Sequence, residues 1–313
     1  AGADPAPARS SPAVGPAEAS GAAGLAPLAG PGDGGEPLAP WWVAGDGRAA
    51  LLAGDCLELL ERLAPESVDV VFADPPYFLS NGGTTCQAGR RVKVDKGGWD
   101  RSRGADDNHA FNRRWLAACQ RLLRPHGTIW ISGTAHVIHS VGFALQQEGF
   151  KLLNDITWEK PNPPPNLACR TFTHSTETLI WAARDPKAKY HFDYATMRAT
   201  NGGRQMKTVW RMPAPGRHEK LHGRHPTQKP LALLERVLQA SCPAGGLVLD
   251  PFNGSGSTGV AALRLGLRYV GLEREPEYLA LSARRLAEAA APAATPAASA
   301  ALPRDADAVA AAE

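Results

Sequence analysis

The chain has 313 residues, a formal net charge of +3 and 43% hydrophobic residues. That length suffices for one well-cored domain with flanking segments, and so small a charge excess does not by itself identify a partner. No run approaches the roughly 18 apolar residues a membrane span needs, and the first residues lack the basic-then-apolar order of a secretory signal, so a soluble cytoplasmic protein without a membrane partner is expected. Five cysteines, Cys56, Cys86, Cys119, Cys169 and Cys242, are widely spaced and odd in number. That argues for reduced thiols and against a disulfide framework or a metal site.

In chain order, residues 1–40 are almost wholly Ala, Pro, Gly and Ser. Ordering them would cost conformational entropy without burying an apolar face, so a disordered arm is expected. A single domain is expected over 41–288, followed by a disordered Ala-rich tail over 289–313. Within the domain, short apolar runs alternate with helical patterns. Strands are expected at about 50–52, 68–73, 127–132, 156–159, 177–182, 247–250 and 268–272, and helices at about 56–62, 109–123, 136–148, 230–240, 257–265 and 276–289. Such alternation implies an α/β fold, a doubly wound and mostly parallel sheet covered on both faces.

The apolar run 68–73 ends in Asp74-Pro75-Pro76-Tyr77. In an open α/β sheet, ligands bind beyond the carboxyl ends of strands, which is where this tetrapeptide is expected. Two prolines remove two amide donors, so the turn offers acceptors, a carboxylate and an aromatic ring. That set suits an exocyclic amino group on a heterocycle. Asp74 and the Pro75 carbonyl can accept its two hydrogens while Tyr77 stacks on the ring. Drawing both hydrogens out of the ring plane returns the lone pair to nitrogen. Attack on an activated methyl then puts positive charge there, which an ionised Asp74 stabilises more than it stabilises the ground state.

Residues 80–108 and about 160–226 break the alternation. They are long, irregular and basic, and loops of this kind inside a compact domain are usually functional. Arg90, Arg91, Lys93 and Lys96 lie in the first and Asn201, Arg204, Gln205 and Arg211 in the second. The basic runs interleave with Trp99, Tyr190, Phe192, Tyr194 and Trp210, as in surfaces that track phosphates and stack bases. These eight polar residues are the candidate nucleic-acid contacts. Arginine pairs with guanine and asparagine or glutamine with adenine, which singles out Arg204, Gln205 and Asn201 for base readout.

Near the end, 247–250 leads into Asp250-Pro251-Phe252-Asn253-Gly254-Ser255-Gly256-Ser257-Thr258-Gly259. A glycine-rich turn that opens a helix lets backbone approach a ligand and offers free amides to a carboxylate. It lacks the Gly-Lys-Ser/Thr of a phosphate loop, and the acid and phenylalanine that precede its glycines set it apart from a dinucleotide turn. Glu273 ends the next strand, where an acid can hold a ribose diol. A nucleoside carrying an amino-acid tail and no pyrophosphate fits, and S-adenosylmethionine is such a ligand and a methyl donor.

These two turns resemble those of the amino-group DNA methyltransferases. Their order, catalytic turn first and FNGSGSTG turn last with a basic region between, is similar to the circularly permuted β group. Residues 78–83 and 92–100 resemble the MboIIA and DpnA subgroup of N6-adenine methylases. The resemblance implies a Rossmann-like AdoMet-dependent methyltransferase fold with an irregular basic target-recognition insertion at about 160–224. It also implies catalysis by Asp74, Pro75, Pro76 and Tyr77. The methionine part of the cofactor would meet Asp250, Phe252, Asn253, Gly254, Ser255, Gly256, Ser257 and Thr258, and its ribose Glu273. Thr227, Gln228 and Lys229 would complete the cofactor site, with Thr227 and Lys229 near the carboxylate. Asp55 and Cys56 would lie at its adenine, although Asp55 also reads as a helix N-cap. The target adenine would be flipped out of duplex DNA. The resemblance further implies a homodimer, a cognate restriction endonuclease and a nucleoid-associated location. N4-cytosine methylation and a silent DNA-binding module are the alternatives.

Overall fold

The computed structural model describes residues 25, 38–80, 84–87, 90–93, 98–223 and 225–291. The expected arm, apart from these few positions, and the tail beyond 291 lie outside the described residues. So do Lys96 and the side chains of Arg90, Arg91, Lys93 and Trp99.

Eleven strands are described: β1 (Trp42–Val43), β2 (Ala49–Ala53), β3 (Val68–Ala73), β4 (Thr84–Gln87), β5 (Arg90–Lys93), β6 (Leu123–Gly133), β7 (Lys151–Glu159), β8 (Thr176–Ala183), β9 (Val209–Arg211), β10 (Leu247–Asp250) and β11 (Arg268–Glu273). Nine form one sheet in the order β1-β2-β11-β10-β3-β6-β8-β7-β9, and β4 and β5 pair as a separate antiparallel ribbon. Helices α1 (Cys56–Arg62), α2 (Ala105–Leu122) and α3 (Ile138–Gln147) cover one face, and α5 (Leu231–Ser241), α6 (Ser257–Arg264) and α7 (Pro276–Ala290) the other. The seventh helix, α4 (Tyr194–Thr200), packs beside α5.

The alternating pleat explains the two cores. Val70, Phe72 and Val248 project towards α5 and α6, while Val71, Ala73 and Leu249 project towards α1 and α2. Every residue of β3 is buried, as expected of a strand with a helix layer on each side. Even Asp69 is only 2% exposed, and it is satisfied across strands. It accepts from the Leu247 amide at 2.8 Å, from Arg124 at 3.3 Å, and contacts His126 Nε2 at 2.8 Å. This carboxylate ties β3 to the starts of β6 and β10.

The sheet is mostly parallel, with β8 antiparallel to both β6 and β7 and β1 antiparallel to β2. β8 follows β7 through residues 160–175 without a helix and pairs directly back on it as the second arm of a hairpin. β7 begins at Lys151, earlier than the apolar pattern suggests, because its first half is exposed and carries little hydrophobic signal. β9 and α4 have no expected counterpart. Both are short, and α4 is set by its cap, Asp193, which accepts from the Thr196 amide at 2.9 Å.

The connections also locate a crevice. From β3 the chain passes through α2 to β6 on one side. From β10 it passes through α6 to β11 on the other. β3 and β10 are parallel neighbours, with Val70 opposite Val248, so their carboxyl ends flank the switch point where a doubly wound sheet opens a ligand cleft.

Candidate active site

Asp74-Pro75-Pro76-Tyr77 leaves β3 at this switch point. Asp100, fully buried, holds it in place: its carboxylate accepts from the amides of Tyr77 (2.9 Å) and Leu79 (3.2 Å) and from the Ser80 hydroxyl (2.9 Å). Phe78 takes a positive φ of 57° and turns its ring edge-on to Phe111. Tyr77 is itself buried. Its hydroxyl donates to Asp74 Oδ1 at 2.6 Å and lies 3.2 Å from Ser132 Oγ. The cleft wall is made by Asp74, Pro76 and Phe78, with Tyr77 behind them. The ring expected as an open stacking plate is therefore part of the packed support of Asp74 in this conformation.

Three further charges converge on the turn. Lys229, just before α5, donates to Asp74 Oδ2 at 2.6 Å and reaches the Tyr77 hydroxyl at 3.2 Å. Glu177, at the start of β8, lies 3.6 Å from the Lys229 ammonium and 3.3 Å from the Tyr77 hydroxyl, and it also pairs with Lys160. Burial raises the Asp74 carboxyl above its usual range despite the adjacent Lys229. For Glu177, burial is outweighed by Lys229 and Lys160, and its carboxyl is held low. Burial alone would lower Lys229, but Asp74 and Glu177 raise it. In this cluster of two anions and two cations, mutual attraction outweighs burial at Glu177 and Lys229, while burial prevails at Asp74.

From Asp74 a cleft of about 640 Å³ extends past Asp250 and Phe252 to Gly54, Asp55, Cys56 and Glu273. The Gly-rich turn forms its floor. Gly256 has a φ of +70°, and a Cβ there would lie 2.2 Å from Ser282 Oγ, so no other residue fits without rearrangement. Asp250 accepts from the Phe252 amide at 3.0 Å, and burial raises its pKa to about 7. Phe252 presses edge-on against Trp115. Asn253 turns inward, where its Oδ1 accepts from the hydroxyls of Tyr269 (2.8 Å) and Ser282 (3.2 Å), so it acts as a strut of the turn. Ser255 and Ser257 face each other at 3.2 Å, and Arg285 donates to the Ser257 hydroxyl at 2.8 Å. Thr258 hydrogen-bonds the Asp250 carboxylate.

Glu273 accepts from the Gly254 amide at 2.7 Å and from the amides of Arg274 and Glu275 at 2.9 Å, which orients its carboxylate at the cleft. Asp55 is the N-cap of α1, accepting from the Leu57 amide at 2.9 Å, and also lines the cleft. Beside it, burial pushes the Cys56 thiol up to about 12, which favours the neutral thiol. The Thr227 hydroxyl contacts His225 Nδ1 at 3.2 Å. Gln228 donates to the Glu219 carbonyl at 2.8 Å, while its buried Oε1 has no partner among the described residues. Sequence reasoning grouped Lys229 with the cofactor carboxylate, but the fold sets its ammonium on Asp74.

Of the eight expected DNA contacts, Asn201, Arg204, Gln205 and Arg211 line a second hollow of about 620 Å³, together with Lys207 and Arg236. Asn201 is committed locally, since its amide donates to the carbonyls of Arg204 (3.2 Å) and Gln205 (3.1 Å). Trp210 is also no stacking surface. It is 5% exposed and packs against Trp130, with the Arg236 guanidinium 5.1 Å above its ring. Glu177, Ser132 and Arg236 were not singled out from the sequence. The available signal for Glu177 was an acid inside the otherwise apolar run 177–182, where burial demands a partner.

A carboxylate turn and a glycine turn at adjacent strand tips, sharing one cleft in a doubly wound sheet, define a nucleoside-dependent group-transfer enzyme. Residues 68–284 match the family model described as DNA methylase, and the chain belongs to that family. Among its relatives is the Type II methyltransferase M2.DpnII of Streptococcus pneumoniae, 52% identical over 237 residues, covering 75% of this chain and 88% of that one. The Type II methyltransferase M2.MboI of Moraxella bovis is 46% identical, covering 80% and 92%. The solved M1.HpyAVI–SAM complex superposes with a TM-score of 0.57 at 26% identity, over 76% of this chain and 98% of that one. The cytosine-N4-specific PvuII DNA methyltransferase shares the fold, with a TM-score of 0.63 at 19% identity, over 79% and 88%.

Proposed function

We propose that the protein is a site-specific DNA methyltransferase that moves a methyl group from S-adenosylmethionine to the N6 amino group of adenine in duplex DNA. The observation that carries this reading is the adjacency of β3 and β10, which sets Asp74 and the Gly-rich turn on one cleft. The lining fits the donor chemically. Glu273 offers a carboxylate for a ribose diol, the turn into α6 offers backbone amides for a carboxylate, and Phe252 and Leu272 offer apolar walls. The bound donor supplies an electrophilic methyl on sulfur.

The remaining steps belong to this chain. Asp74 and the Pro75 carbonyl accept the two hydrogens of the amino group. Lys229 and the Tyr77 hydroxyl each bond one Asp74 oxygen and hold the carboxylate rigid, so little reorganisation is needed as positive charge develops on nitrogen. Glu177 and Asp74 together oppose Lys229, which keeps the pocket from repelling that charge. The base must leave the duplex to reach this turn, and residues 160–224 are the proposed recognition region. Arg204, Gln205 and Arg211 supply its exposed cationic and amide groups. A homodimer as working assembly and a cognate restriction endonuclease as functional partner complete the proposal, on the likeness to the β group.

The test is incubation with labelled methyl donor and duplex DNA, mapping of the modified site, and digestion to nucleosides. N6-methyladenine is the expected product. N4-methylcytosine would transfer the assignment to the other amino base, and label confined to RNA or protein would overturn it.

A further inference from the structure

Residues 160–175 join β7 to β8 and rise from the sheet edge beside the catalytic turn. Both stems are fixed there. The Lys160 amide donates to the Ser175 carbonyl at 2.8 Å, its ammonium pairs with Glu177, and Glu177 reaches the Tyr77 hydroxyl. Between the stems the chain is braced. Pro161, Pro163, Pro164 and Pro165 restrict φ, and Asn166 straps the loop by donating to the Thr171 carbonyl (2.8 Å) and hydroxyl (2.7 Å) and accepting from the Ala168 amide (3.0 Å).

Just past the strap, Phe172 is 98% exposed and makes no ring contact among the described residues. Phe143, the next most exposed phenylalanine, at 57%, stacks on His109. The loop carries Lys160 and Arg170 and no acid, and His174 brings it to within 6.5 Å, ring to ring, of His136 beyond β6. A braced, acid-free loop therefore holds one bare aromatic ring in water, on stems that are tied through Lys160 and Glu177 to the catalytic turn.

Extruding a base leaves a gap in the stack, and apolar side chains that enter such gaps hold the distorted duplex open. We propose that Phe172 is a wedge that enters the DNA stack where the target base has left it. The proposal rests on the DNA-methylation reading. Arg170 steers the flanking phosphates, and the Lys160–Glu177 pair links the wedge to the catalytic turn.

The test uses the full chain, a duplex carrying the mapped site, and the same duplex with the target base mispaired, so that less stacking and pairing must be broken. Phe172→Ala should keep the wild-type melting temperature and donor affinity. It should lose about tenfold or more in single-turnover methylation of the paired duplex and about twofold or less on the mispaired one. Phe172→Trp should retain most of the activity. With 2-aminopurine as target base, the fluorescence rise on binding should fall in Phe172→Ala. Equal losses on both duplexes, or no loss on either, would overturn the wedge. A wild-type protein that binds donor but methylates neither duplex would instead overturn the methylation reading beneath it.

Discussion

The centre and one end of the sheet's catalytic edge are built on opposite principles. At β3 and β10, Asp74, Tyr77, Lys229 and Glu177 are nearly sealed from water and satisfy one another. At β7–β9, Phe172, Arg204, Lys207 and Arg236 stand without an anion or ring partner among the described residues, apart from the Arg236 contact with Trp210. The first region has its partners inside the chain, so its geometry is set before substrate arrives. The second leaves its groups unmatched, as expected where the complementary surface belongs to another molecule.

The largest effect that could break this comparison is at Asp74. Asp74→Ala should lower single-turnover methylation by about 10³-fold or more while donor affinity, read by calorimetry, changes only a few fold. A large loss of donor binding would move Asp74 out of the chemistry and into the cofactor site. A smaller effect is expected for Glu177→Gln, about 10- to 100-fold in kcat with KM for DNA little changed, because the lysine beside Asp74 loses one of its two anions.

The pH profile sharpens the same point. Methyl transfer needs ionised Asp74, whose carboxyl is raised by burial and further by Glu177, so wild-type activity should fail on acidification above the ordinary carboxylate range. Removing the Glu177 charge eases ionisation of Asp74, so the acid limb of Glu177→Gln should move to lower pH. An unmoved limb would show that another group controls it. The smallest effect belongs to the open region. Arg236→Gln should weaken duplex binding a few fold and reduce the salt slope by about 1, with methylation at saturating DNA unchanged. An unaltered slope would leave the second hollow without a phosphate.

Much of this molecule is legible in local pattern. The run 68–73 and the run 247–250 coincide with β3 and β10, and the helix over 56–62 with α1, because in these segments burial, period and turn residues agree. The candidate turns follow from them, since a polar turn after a fully apolar strand must sit at a strand tip. Legibility fails where burial is partial. The exposed first half of β7, the three-residue β9 and the single-cap helix α4 carry no sustained apolar period. Trp210 misleads for a related reason: a tryptophan among basic residues reads as a stacking surface, but here it fills the core beside Trp130.

Residue order alone determined an alternating sheet, a carboxylate-proline turn and a glycine turn, because each is a property of a few consecutive positions. Tertiary structure decided that the two turns are neighbours, that Lys229 meets Asp74 across 155 positions of chain, and that Glu177 and Lys160 close the cluster. Such meetings depend on strand order and hairpin direction, which are selected by the packing of the whole sheet and are not encoded in any one segment's hydrophobic period.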